Sequence, residues 1–148
     1  MVTLYRDEQV NTLSYNLNIP KSTVRSIITG YVEYVKSCLR EGEPCKFLNI
    51  VKFRVNGRDG RMERTLAYIA NEIGMDYKIS PVIVQGVLSA YEEFIMEDLK
   101  SGFSYNIRGL FTITMKGTFI DVKKSASLNH PYVVRVSQMG RFKRRMGV

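Results

Sequence analysis

Tryptophan is absent from this chain of 148 residues, histidine occurs once and cysteine twice. Each scarcity removes a class of chemistry. A single histidine, His130, and two cysteines fall short of the ligand sets that hold structural or catalytic zinc. Two cysteines also make no disulfide framework, so Cys38 and Cys45 read as ordinary reduced thiols. No apolar run approaches the roughly 20 residues that span a bilayer, and the charged opening MVTLYRDEQV is unlike a secretory signal. A glycine-rich phosphate loop and a nucleophile motif are missing as well. The sequence therefore points away from an enzyme: no catalytic, metal-binding or cofactor-binding residue, no small-molecule substrate and no membrane partner are expected.

Acidic residues are the next scarcity, and it is a local one. The net charge is +8. Residues 1–62 hold ten basic and six acidic side chains, residues 63–100 three and seven, and residues 101–148 nine and one. The middle of the chain is acidic and its end strongly basic. Arg141, Lys143, Arg144 and Arg145 form the densest cluster, with Arg135 and the Lys123–Lys124 pair beside them. Such a cluster attracts phosphates by counterion release, so double-stranded DNA or another acidic surface is the expected partner. Glu92, Glu93, Glu97 and Asp98 form an acidic face that would repel DNA and suits a protein neighbour.

What the chain does have is a copy of itself. VRSIITGYVEYVKSCLREG, residues 24–42, aligns without a gap on VQGVLSAYEEFIMEDLKSG, residues 84–102. Val24, Ile27, Ile28, Tyr31, Val35 and Leu39 fall on Val84, Val87, Leu88, Tyr91, Ile95 and Leu99, the spacing of an apolar helical stripe. Each copy closes at a glycine, Gly42 or Gly102, and Ser80–Pro81 supplies an N-cap and a first-turn proline to the second. Cys45 to Val55 and Ser104 to Met115 follow as strand pairs rich in β-branched and aromatic residues. Ahead of the long helices lie Thr12–Leu13–Ser14–Tyr15 and Thr65–Leu66–Ala67–Tyr68, with about seven more residues between that point and the long helix in the second copy. The expected fold class is α+β: two tandem units of helix, long helix and β-hairpin, residues 1–62 and 63–148, packed as a single-chain pseudodimer because neither could bury its helix face alone.

This order, with Glu41–Gly42–Glu43 and Asn49–Ile50–Val51–Lys52–Phe53 in the first unit and Gly102 and Gly109–Leu110–Phe111–Thr112–Ile113 in the second, resembles the HU and integration host factor (IHF) family of bacterial DNA-bending proteins. The resemblance implies a two-armed clamp in which a proline at each arm tip wedges between base pairs. Here the first arm is replaced by a tight turn at Asn56–Gly57–Arg58–Asp59–Gly60. The second has room to run out along Thr118–Lys124 and back along Tyr132–Ser137, and Asn129–His130–Pro131 is similar to the family's tip. The chain also resembles the IHF-like proteins of crAss-like tailed phages. What that resemblance implies is a virion structural protein, a head–tail connector or tail ring component packing around a DNA channel, with portal or tail proteins and further copies of itself as neighbours, assembled in a bacterial cytoplasm. The alternatives are an architectural DNA-bending protein of the bacterial cytoplasm or nucleoid, and an adaptor for a transcription or replication complex.

Overall fold

The computed structural model describes residues 2–56, 65–129 and 131–147. Gly57 to Gly60 of the expected first turn, and His130, lie outside the described residues. The fold mixes helices with two small, mainly antiparallel sheets. The elements run β1 Val2–Thr3, α1 Asp7–Leu17, α2 Lys21–Arg40, β2 Cys45–Phe47, β3 Val51–Val55, α3 Leu66–Tyr77, α4 Pro81–Lys100, β4 Tyr105–Ile107, β5 Phe111–Lys116, β6 Phe119–Lys124, β7 Val134–Gln138 and α5 Gly140–Met146, with one turn of 3-10 helix, Ala126–Asn129, before β7.

The paired stripes explain the core. All twelve of their residues are buried, α2 packs against α4, α1 lies on α4 and α3 on α2. Each short helix thus packs on both long helices, that of its own copy and that of the other. Phe111 of β5 stacks edge-on against Phe47 of β2 at 5.3 Å and lies 6.0 Å from Phe53 of β3, so the aromatic core also bridges the two sheets.

The backbone repeats more closely than the side chains. Where α2 ends, Gly42 and Glu43 donate to the carbonyls of Leu39 and Cys38 at 3.1 and 2.9 Å; where α4 ends, Gly102 and Phe103 donate to Leu99 and Asp98 at the same two distances. Gly42 and Gly102 both have positive φ, +77° and +91°, as helix closure at a glycine requires. The short helices end alike at Asn18 and Lys78, both left-handed, with φ of 55° and 57°. The repeat is therefore gapless through the helix pair. That corrects the alignment of Thr12–Tyr15 with Thr65–Tyr68: Thr65 is the N-cap of α3, its Oγ1 accepting from Tyr68 N at 3.1 Å, whereas Thr12 lies inside α1 and donates to Glu8 O at 2.8 Å. One four-residue string serves two different places in a helix. Ser80 occupies the expected N-cap position of α4 but makes no side-chain cap.

The second β-arm does not form. Gly117, with φ of +60°, closes a two-residue turn and sends β6 back along β5. β7 then leaves β6 and pairs with β3, Val55 opposite Val134 and Val51 opposite Gln138. The sheets are β1–β4–β5–β6, in which β1 is parallel to β4, and β2–β3–β7. The reason is burial: β7 places Val134 and Val136 on the inner side of the first sheet, which an arm in solvent would expose. A division at residue 62 consequently parts β3 from the strand that completes its sheet.

Candidate nucleic-acid interface

Strands alternate sides, and directly opposed residues share a face. In β2–β3–β7 the pairs Cys45–Phe53, Phe47–Val51 and Val55–Val134 point inward, which leaves Lys46–Lys52, Lys52–Ser137 and Arg54–Arg135 on the outer face. None of the three strands contains an acidic residue. The corresponding face of the other sheet carries Asn106, Thr112, Thr114, Asp121 and Lys123. There Thr112 Oγ1 donates to Asn106 Oδ1 at 3.1 Å and Lys116 pairs with Asp121 at 3.4 Å. The sheets meet along β6 and β7 through side chains: Lys124 Nζ donates to Val134 O at 2.6 Å and Gln138 Nε2 to Ile120 O at 3.2 Å. Two outer faces thus adjoin, one strongly cationic and one nearly neutral with a row of hydroxyls.

The structure gathers only part of the basic set expected from sequence. Arg135 and Lys123 stand exposed on the outer faces of β7 and β6, while Lys124 reaches back to the β7 backbone. Pro131 is exposed in the bend before β7 rather than at a hairpin tip, and Asn129 ends the 3-10 helix. Arg141, Lys143 and Arg144 are exposed on α5. The expected tail is this helix, and it is part of the core: Phe142 is 0% and Met146 6% exposed.

Arg145, also exposed on α5, reaches across to the protein's own acids. Its guanidinium donates to Glu92 Oε2 at 2.7 Å and also pairs with Glu93, which raises its pKa further above the ordinary arginine value. Glu92 Oε1 in turn accepts from Asn49 N at 2.9 Å. The expected acidic face is thereby divided. Glu93 and Glu97 are exposed, but Glu92 is 7% and Asp98 4% exposed, a correction with a clear cause: both carboxylates hold the fold together. Asp98 accepts from Arg6 Nη2 at 2.5 Å and from Gln9 Nε2 at 2.6 Å, and Tyr105 OH donates to Gln9 Oε1 at 2.7 Å. Burial raises the Asp98 carboxyl pKa, and the Arg6 guanidinium opposes that rise.

Different side chains stand at the equivalent positions of the other unit. Sixty positions away, Arg6, Gln9, Asp98 and Tyr105 correspond to Leu66, Ile69, Cys38 and Cys45. A buried polar network is stable when every member is satisfied, and here the four positions change together. Around Leu66, Ile69, Cys38 and Cys45 the smaller side chains line a cavity of about 170 Å³, beside Tyr31 and Glu92. Burial pushes the Tyr31 hydroxyl well above the ordinary tyrosine pKa; its oxygen accepts from Leu48 N at 2.7 Å.

Sequence reasoning missed Lys46, Lys52 and Arg54. Their signal lies in the alternation of cations with Phe and Val along CKF and VKFRV, which is weaker by density than the C-terminal cluster. No family model and no curated protein matches this chain. Among the described residues, no helix is long and apolar enough to cross a membrane.

Proposed function

We propose that this chain is a non-enzymatic building block of tandem HU/IHF-like architecture that lies against double-stranded DNA through the outer face of β2–β3–β7 and does not clamp or wedge it. One observation carries the reading: β7 pairs with β3, so the strands that would extend as an arm instead close a sheet whose outer face is lined by Lys46, Lys52, Arg54 and Arg135. Flat cationic contact of this kind tracks the phosphate backbone without reading bases. The setting we propose is a head–tail connector or tail ring of a tailed phage, where copies pack around a DNA channel; the support is the resemblance in element order together with the unarmed sheets.

Binding and bending on one duplex of about 35 base pairs test this reading, with anisotropy and end-to-end fluorescence transfer followed at about 50 and about 200 mM salt. Salt-sensitive binding without a bend, weakened by Arg135→Glu and unaffected by Pro131→Ala, is the expected result. A clear bend that Pro131→Ala removes would restore the architectural alternative, and absence of binding at low salt would eliminate the DNA-facing role.

A further inference from the structure

Tyr91 of α4 and Tyr105 of β4 meet edge to face with 6.5 Å between ring centres, and both are fully buried. Tyr105 gives its hydroxyl proton to Gln9 Oε1 at 2.7 Å. Sixty positions away the helix tyrosine is kept as Tyr31, but Cys45 stands in place of Tyr105 and Ile69 in place of Gln9. The first unit therefore retains the receiving ring and has lost the ring that packs on it. Cys45 is half-buried where Tyr105 is wholly enclosed.

The cavity of about 170 Å³ lies at that place. Val35, Leu66, Ile69 and Leu88 give it an apolar wall, and Cys38 and Cys45 add two reduced sulfurs, which are favourable neighbours for an aromatic ring. Asn49 and Ser89 supply polar atoms, and Ser89 stands at an exposed position from which solvent can enter. The buried carboxylate in the lining, Glu92, is already engaged by Arg145 and by Asn49 N. The site accordingly asks for no cation, and a second negative charge beside Glu92 would be unfavourable.

We infer that this cavity binds a small neutral aromatic molecule of the size of phenol, whose ring takes against Tyr31 the place that the Tyr105 ring takes against Tyr91. An apolar cavity of about 150 Å³ holds benzene, so a single ring fits here with room for one hydroxyl. That hydroxyl cannot be received as the Tyr105 hydroxyl is, because Ile69 replaces Gln9; it turns instead to the side chains of Asn49 or Ser89. A protein that bound no DNA would carry this cavity equally.

The test titrates the full chain, isotope-labelled at its methyl groups, with phenol and with benzoate, which carries a charge on the same ring. Phenol should shift the methyl resonances of Val35, Ile69 and Leu88 with half-saturation at roughly millimolar concentration, as suits so few atoms. Ile95 and Ile28, which stand in the other unit where Val35 and Leu88 stand in this one, serve as the internal control and should not move. Benzoate should bind roughly tenfold or more weakly. Cys45→Phe, which supplies a ring from the chain itself, should abolish the phenol shifts. Alkylation of Cys45 in the unaltered chain, followed by intact mass, should be slowed by phenol, and this readout decides the matter should the variant fail to fold. Absence of shifts at about ten times that concentration, equal shifts at Ile28 and Ile95, equal affinity for benzoate, shifts that persist in a folded Cys45→Phe chain, or an alkylation rate indifferent to phenol would overturn the inference.

Discussion

Arg54 on β3 and Arg135 on β7 face each other directly across the ladder, two cations on one exposed face. Like charges directly opposed across a ladder disfavour pairing. Arg135→Glu should therefore leave thermal stability unchanged or slightly raised while weakening duplex binding and making its salt dependence shallower by about 1–2 units of log–log slope. A parallel fall in stability and affinity would mean that Arg135 acts through the fold.

The basic C-terminal helix is predicted to be structural first and charged second. Phe142 is fully buried and Met146 nearly so. Phe142→Ala should cost about 3–5 kcal/mol in denaturant unfolding, whereas Lys143→Ala, at an exposed position, should change stability by no more than about 0.5 kcal/mol. Equal, small losses would return the helix to the status of a solvated tail.

Asp98 sets a pH dependence whose sign is fixed by its environment. Burial raises its carboxyl pKa against the opposing pull of Arg6, with the Tyr105 hydroxyl lowering it, Glu8 raising it and Gln9 lowering it as smaller influences. The folded chain then holds this proton more tightly than the unfolded chain, where an aspartate titrates near 3.9. Its contribution to stability accordingly falls as pH rises from the unfolded pKa through the raised folded one. The difference in melting temperature between wild type and Asp98→Asn, followed from about pH 3 to pH 7, should move in the variant's favour across that window. Parallel profiles would show that Asp98 titrates normally.

Gly42 and Gly102 offer an internally controlled experiment. Both have positive φ, but a Cβ on Gly42 would stand 2.8 Å from the Tyr132 ring, while one on Gly102 meets nothing within 4 Å. Gly102→Ala should cost about 1–2 kcal/mol, the conformational penalty alone. Gly42→Ala should cost more, and its excess should vanish in a Tyr132→Ala background. If the excess persists without the ring, the contact with Tyr132 is not its source.

Helices were the most legible part of the chain. Six apolar positions per long helix, repeated in phase, carry a 3.6-residue period that tertiary context does not alter, and all twelve are buried. Strand partnership was not legible. Tyr132 to Ser137 reads as a strand by composition, yet nothing local distinguishes pairing with β6, nearby in sequence, from pairing with β3, some eighty residues earlier; the choice lies in which sheet edge has an inner face to complete. The candidate surface suffered similarly. Arg135 was recognised as basic, but Lys52 and Arg54, its neighbours on one face, lie in a segment that looks apolar because its alternate residues are. Glu92 and Asp98 were misread for the converse reason: a helical period places them at the border of the buried stripe, and only Arg145, Arg6 and Gln9, distant in sequence, turn them inward.

Because β7 and α5 complete the sheet and core begun by α1 to β3, the second helix–helix–hairpin unit is threaded entirely between the two parts of the first. On the ribosome this delays the completion of the first sheet. The unit synthesised first must wait, its β3 edge unpaired, until everything between has emerged, while β1 can join β4 only after the second long helix is made. Each half thus owes one strand pairing to the other, and both pairings are long-range closures of the kind that slows folding.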